Sequence, residues 1–143
     1  VGRRGAQASA LEVRPDFAFG LDTTLAYDVP GSTPQEQCTQ LGGGAAIKLM
    51  DSSVICDYRM IDCMKATANR HKIKWQPEIL AAGGTDTASL QRLVPGGSIA
   101  GAISVPTRYI HQPIETAHKK DIAAAIRLLG ACICELDRHD WSF

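Results

Sequence analysis

Apolar and polar positions fall into blocks along this 143-residue chain, and the blocks switch between strand-like runs and helix-like spacing. "PDFAFGLD", Pro15 to Asp22, is a short apolar run with aromatics between a proline and polar residues, the pattern of a buried strand. Behind it, "TTLAYDVPGSTPQEQCTQLGGG" carries two prolines and four glycines and reads as a long loop, a feature that tends to be functional in a compact domain. "AAIKLM" reads as a second strand, delivering Asp51. "DSSVICDYRMIDCMKATANRHK" predicts a helix capped within Asp51 to Ser53, with Val54, Tyr58, Ile61, Met64 and Ala68 at helical spacing. "IKWQPEIL", Ile73 to Leu80, is a strand whose proline places it near an edge or bends it.

"AAGGTDTASLQRLV" is a glycine turn opening a short helix with Thr85 or Asp86 near its start, and "GSIAGAISVP" is the next strand. In the last segment Ile122, Ile126, Leu129, Ile133 and Leu136 repeat at intervals of four, three, four and three, an amphipathic stripe on a long helix. Strands alternating with helices predict an α/β layer structure whose sheet is covered by helices.

Composition narrows the classes. An apolar fraction of 45% and a charged fraction of 21% describe an ordinary globular domain, long enough to bury a core. Formal net charge is zero with no run of like charge, so a nucleic-acid or anionic-membrane partner has no electrostatic support. No apolar run approaches the roughly 18–20 residues that span a bilayer. "VGRRGAQASAL" has arginines but no apolar stretch behind them, unlike a signal peptide. The five cysteines are odd in number and form no C-x-x-C, which argues against a disulfide framework and a zinc ribbon and suits a reduced, cytoplasmic setting. Cys56 and Cys63, seven apart, are expected as small core residues on one helix face. The chain opens on Val1-Gly2 with no methionine, as if cut from something longer.

The candidate chemistry is sparse. Asp22 and His111 are each expected just past the carboxyl end of a strand, where ligands collect in open α/β sheets. A carboxylate and an imidazole so placed suit zinc, cobalt or manganese; the alternative is a turn cap and a loop histidine. "GGTDT", Gly83 to Thr87, lets backbone approach a ligand beside a helix start, or is simply a glycine turn before a capped helix. "QLGGGAA" lacks the lysine–hydroxyl pair of a phosphate loop. His71 and His118 are expected at helix ends and His139 near solvent, and Cys132 and Cys134 point apart on a helix.

The phrases "VGRRGA", "PDFAFGLDTT", "DVPG", "LGGGAAIKLMDSSVI", "AAGGTDTASLQ" and "ISVPTRYIHQPIE" resemble, in that order, the carboxyl-terminal part of the glutamyl or tetrahedral aminopeptidases, which are dinuclear metallopeptidases. The resemblance implies a partial mixed sheet with helices on both faces, residues 1–143 forming the carboxyl-terminal segment of a catalytic domain. It implies two divalent ions, zinc or cobalt, with Asp22 a ligand to one and His111 to the other. Gly83, Gly84, Thr85 and Asp86 match a loop lining the substrate cleft, and Arg108 and Tyr109 match residues supporting the histidine loop.

The family's general-base glutamate, a second glutamate, an earlier histidine, a bridging aspartate and an inserted β domain would all precede Val1. The expectation is therefore a segment of a peptide-cleaving homo-oligomer that is inactive alone. Two rivals stand beside it: another amide hydrolase on the same scaffold, or a non-catalytic assembly piece. An incomplete sheet should also expose an apolar edge and face.

Overall fold

The computed structural model describes residues 2–142. Its elements run α1 (Arg4–Val13), β1 (Phe17–Leu25), β2 (Ala45–Met50), α2 (Tyr58–Arg70), β3 (Trp75–Ile79), α3 (Thr87–Leu93), β4 (Ile99–Arg108), β5 (Thr116–Ala117) and α4 (Lys119–Cys134), with a 3-10 turn at Leu136–Arg138. The sheet is mixed, in the order β1-β4-β2-β3, with β5 on β4. β1 is parallel to β4, β2 is parallel to β3, and the two pairs meet antiparallel along β2 and β4. β3, with Pro77, is an edge strand, where a missing N–H costs no ladder bond. Along its other edge, β1 has no partner strand among the described residues.

Two glycines show which helices cover which face. A Cβ on Gly20 would fall 2.0 Å from the Thr87 hydroxyl, so α3 lies directly against β1. A Cβ on Gly101 would fall 2.6 Å from Met60, so α2 packs on β4. Gly20 is in register with Ala102, and Gly101 points the other way, so α3 and α2 occupy opposite faces. The core is concentrated on the α2–α4 face, where Ile47, Met60, Met64, Ile103 and Leu128 are buried.

Three readings from the sequence change. The helix predicted from Asp51 starts at Tyr58, with the Asp57 side chain accepting the N–H of Arg59. The carboxylate of Asp51 instead closes a tight turn, accepting the N–H groups of Ser53 and Val54. Cys56 is accordingly buried but lies ahead of the helix that holds Cys63. An unforeseen helix, α1, occupies Arg4–Val13, where the polar composition hid it.

The third change concerns the stripe on α4. Its inner seam is Ala124, Ala125, Leu128 and Cys132, small residues that let the helix lie close to the sheet. Ile122, Ile126 and Ile133 are 40%, 67% and 58% exposed. With Leu21, Ile103 and Val105 they border an apolar groove of about 310 Å³. An apolar surface of this kind promotes association. Replacing Ile126 and Ile133 together by lysine is expected to lower the sedimentation coefficient of a self-associating sample while leaving the urea midpoint nearly unchanged. An unaltered sedimentation profile would show that this face does not drive association.

Candidate functional site

Asp22 and His111, distant in sequence, border one cavity of about 260 Å³, together with Gly83, Gly84 and Thr85. Thr23, Lys48 and Asp51 complete its polar lining. Asp22 does not follow the strand, as the sequence suggested, but lies within β1, which continues to Leu25. Because strand residues Asp22 and Lys48 line it, the cavity lies over the sheet face and not beyond the strand ends.

Asp22 is exposed, and one carboxylate oxygen accepts the Thr23 N–H at 2.8 Å while the other has no partner among the described residues. The imidazole of His111 is likewise exposed and unengaged there. What holds His111 is its backbone. Tyr109 and His111 have φ of 57° and 64°, left-handed values that non-glycine residues seldom adopt. Two clasps keep the loop in this shape. The His111 N–H donates to Glu115 at 2.6 Å, and the Arg108 guanidinium donates to Asp28 of the long loop at 2.7 Å. Asp28 also accepts the Leu41 N–H at 2.9 Å, so one carboxylate joins the histidine loop to both ends of the 26–44 segment. The hydrogen bond from Arg108 holds the Asp28 carboxyl below its usual range.

The glycine turn is fixed by packing. A Cβ on Gly84 would fall 2.7 Å from the Ser53 hydroxyl. The Ser52 hydroxyl donates to the Gly83 carbonyl, Thr85 donates to Asp51 at 3.3 Å, and Arg3 of the first turn reaches the Thr85 carbonyl at 3.3 Å. The N–H groups of Gly83 and Gly84 have no partner among the described residues and remain available to a ligand. Asp86 is exposed, makes no capping bond to α3 and lies outside the cavity lining. Of the four residues expected on this turn, Gly83, Gly84 and Thr85 line the cavity.

Beneath the cavity lies a charged cluster that the sequence reading missed. Lys48 is 1% exposed and ion-paired to Glu78, which is fully buried. Thr24 donates to the same Glu78 oxygen at 2.6 Å, and Asp51 stands 3.7 Å from the lysine nitrogen. Burial acts to raise the Asp51 carboxyl, but the hydrogen bonds from Ser53 and the Lys48 charge hold it below the usual range. Glu78 Oε2 and the hydroxyl of Ser104, the residue registered with Asp22, are buried with no partner among the described residues. The available signal was a charge inside each of two short strands: lysine in "AAIKLM" and glutamate in "QPEIL". Among the described residues no group of three His, Cys, Asp or Glu side chains converges to hold an ion.

Lys48→Met leaves Glu78 as an unpaired buried carboxylate and is expected to cost about 3–5 kcal/mol in urea unfolding. Combining it with Glu78→Leu should recover more than half of that loss. Simple addition of the two effects would show that the pair is uncoupled. Asp28 gives a pH prediction. Its depressed carboxyl contributes stability that is present above the ordinary aspartate pKa and lost as pH falls below about 4. Amide exchange at Leu41, corrected for intrinsic rate, should accelerate across that acid window and lose this step in Asp28→Asn.

Residues 1–128 match the model of the M42 glutamyl aminopeptidase family. A putative aminopeptidase of Acetivibrio thermocellus is 46% identical over 134 residues, covering 94% of this chain and 40% of that protein. A TET aminopeptidase from a marine-sediment Thaumarchaeota archaeon superposes with a TM-score of 0.89 at 34% identity, covering 93% of this chain and 37% of that one. The TET1 peptidase of Pyrococcus horikoshii, described as assembling into a tetrahedron or a large octahedral shell, gives a TM-score of 0.78 at 29% identity, with coverage of 92% and 37%. The chain thus spans about 40% of the length of the first of these relatives. With its mixed sheet and its ordered motifs accounted for over nearly all of its residues, the chain belongs to the M42 glutamyl aminopeptidase family.

Proposed function

We propose that this chain forms part of the catalytic domain of a metal-dependent aminopeptidase that releases amino-terminal residues from peptides. Asp22 and His111 would each bind one of two divalent ions, zinc or cobalt. The observation that carries this reading is the meeting of the two on one cavity, each with unengaged ligand atoms. The chemistry such ions supply when bound is Lewis-acid polarisation of the scissile carbonyl and acidification of water. Two adjacent ions need further carboxylates to offset their repulsion; the cavity's other carboxylate, Asp51, is already engaged by Ser53, Val54, Thr85 and Lys48, and no glutamate lines it. The remaining ligands and the general-base glutamate are therefore assigned to polypeptide outside this chain.

The chain's own groups bind and orient. The free N–H groups of Gly83 and Gly84 would donate to a peptide carbonyl, with Thr85 fixed behind them by Asp51. Arg108 and Tyr109 act through the histidine loop, Arg108 by its clasp on Asp28 and Tyr109 by its left-handed backbone. A homo-oligomer is part of the proposal, supported by the exposed α4 face and by the assemblies described for the Pyrococcus protein. So is a reducing, cytoplasmic setting, supported by five free cysteines.

The test is zinc retained per chain after loading and exhaustive dialysis. Less than one ion is expected, with Asp22→Ala and His111→Ala each retaining less than the parent. Two tightly held ions, or no change in either variant, would overturn the assignment. Activity is tested separately, on full-length protein. Hydrolysis of an aminoacyl anilide without hydrolysis of an N-acetyl amino acid separates aminopeptidase from deacylase.

A further inference from the structure

A second cavity, of about 490 Å³, is unrelated to the cluster around Asp22. Its lining includes residues that precede β2 and β3, whereas the Asp22–His111 cavity takes residues that follow those strands; the two share none. Lys72 and Lys74 enter it from the turn before β3, and Lys120 and Arg127 from α4. The last two are seven residues apart, two helical turns, and so project from one side of α4 with Ala123 and Ala124 between them. A chain with no net charge therefore gathers four basic side chains around one hollow.

None of the four takes part in an ion pair among the described residues. The carboxylate at the cavity, Asp121, is fully buried and already occupied. It accepts the Gly42 N–H at 2.7 Å and the Gly44 N–H at 2.9 Å. It thereby clips the glycine loop to α4 and sets one carboxylate against four basic side chains, so the cations remain in excess at the hollow. The helix start adds little to recognition, because the N–H of Lys120 is taken by His118 and those of Asp121 and Ile122 by the His118 carbonyl. Any affinity has to come from the side-chain cations, which surround a floor of Ile73, Ala123 and Ala124.

We propose that this hollow is a binding site for a small molecule carrying two or more phosphate charges, held by Lys72, Lys74, Lys120 and Arg127 with its uncharged part against the alanine floor. The volume lies in the range of small-ligand sites. Flexible cations converging from two elements suit a compact multivalent oxyanion better than a single carboxylate, since each contact adds a charge-assisted hydrogen bond. The proposal does not depend on the metal reading.

The experiment titrates this chain with inorganic pyrophosphate at about 0.15 M salt, followed by calorimetry and by the phosphorus NMR shift. A dissociation constant below about 1 mM is expected, weakened about tenfold or more in Lys74→Ala/Arg127→Ala. Arg92→Ala, a cation removed on α3, should leave binding unchanged. Circular dichroism checks the fold of each variant, and Lys120→Ala, an exposed single change, gives an independent reading if the double variant unfolds. Equal affinity in parent and rim variants overturns the proposal. So does an equal loss in Arg92→Ala, which would mean diffuse screening. Retention of a single-stranded oligonucleotide without pyrophosphate binding would also overturn it, in favour of an extended polyanion surface.

Discussion

A lysine and a glutamate sealed beneath the sheet's polar face set the terms for the rest of this molecule. Lys48 of β2 and Glu78 of β3 are removed from water, and the cost of burying either alone is far larger than the fold can absorb. Their pairing fixes the register of two neighbouring strands, and Thr24 of β1 joins the same carboxylate. Asp51 sits beside the cation and holds the turn that receives Thr85. One buried charge pair thus connects three strands and the glycine turn. The two faces of the sheet consequently differ: one is closed by methionine, isoleucine and leucine from α2 and α4, the other is polar and shared between α3 and the Asp22–His111 cavity.

Much of this layout was legible in the chain itself. The strand blocks "AAIKLM", "IKWQPEIL" and "GSIAGAISVP" are short, apolar and bounded by breakers, so their class was clear. Boundaries were less so. "DSSV" and "DYRM" both look like helix starts, and only the pairing of Ile55 with Met50 shows that the first is a turn folding the chain back. The α4 stripe had the right period, but periodicity does not tell which of two adjacent apolar faces finds a partner. The alanine seam won because it allows closer approach to the sheet. Lys48 and Glu78 escaped notice because a charge inside a strand reads as an outward-facing residue until its neighbour is known.

The site shows the same division. Asp22 and His111 were legible as residue types near strand ends, while their shared cavity depends on β1 and β4 running side by side in parallel, a fact of pairing that no local pattern carries. The basic hollow was invisible for a related reason. Its lysines and arginine come from two separate segments, and a sequence of zero net charge gives no hint that the topology collects them.

The left-handed backbone at Tyr109 and His111 has a consequence for how the imidazole is positioned. Each such residue costs about 1–2 kcal/mol relative to ordinary conformations. The loop therefore rests in a higher-energy conformation than its residues ordinarily take, and Asp28 and Glu115 help to hold it there. Released from either, the chain relaxes toward common dihedrals and carries the ring away with it. The address of this histidine is written in two carboxylates that never touch its ring, and a change at either of them would read as a fault in the histidine itself.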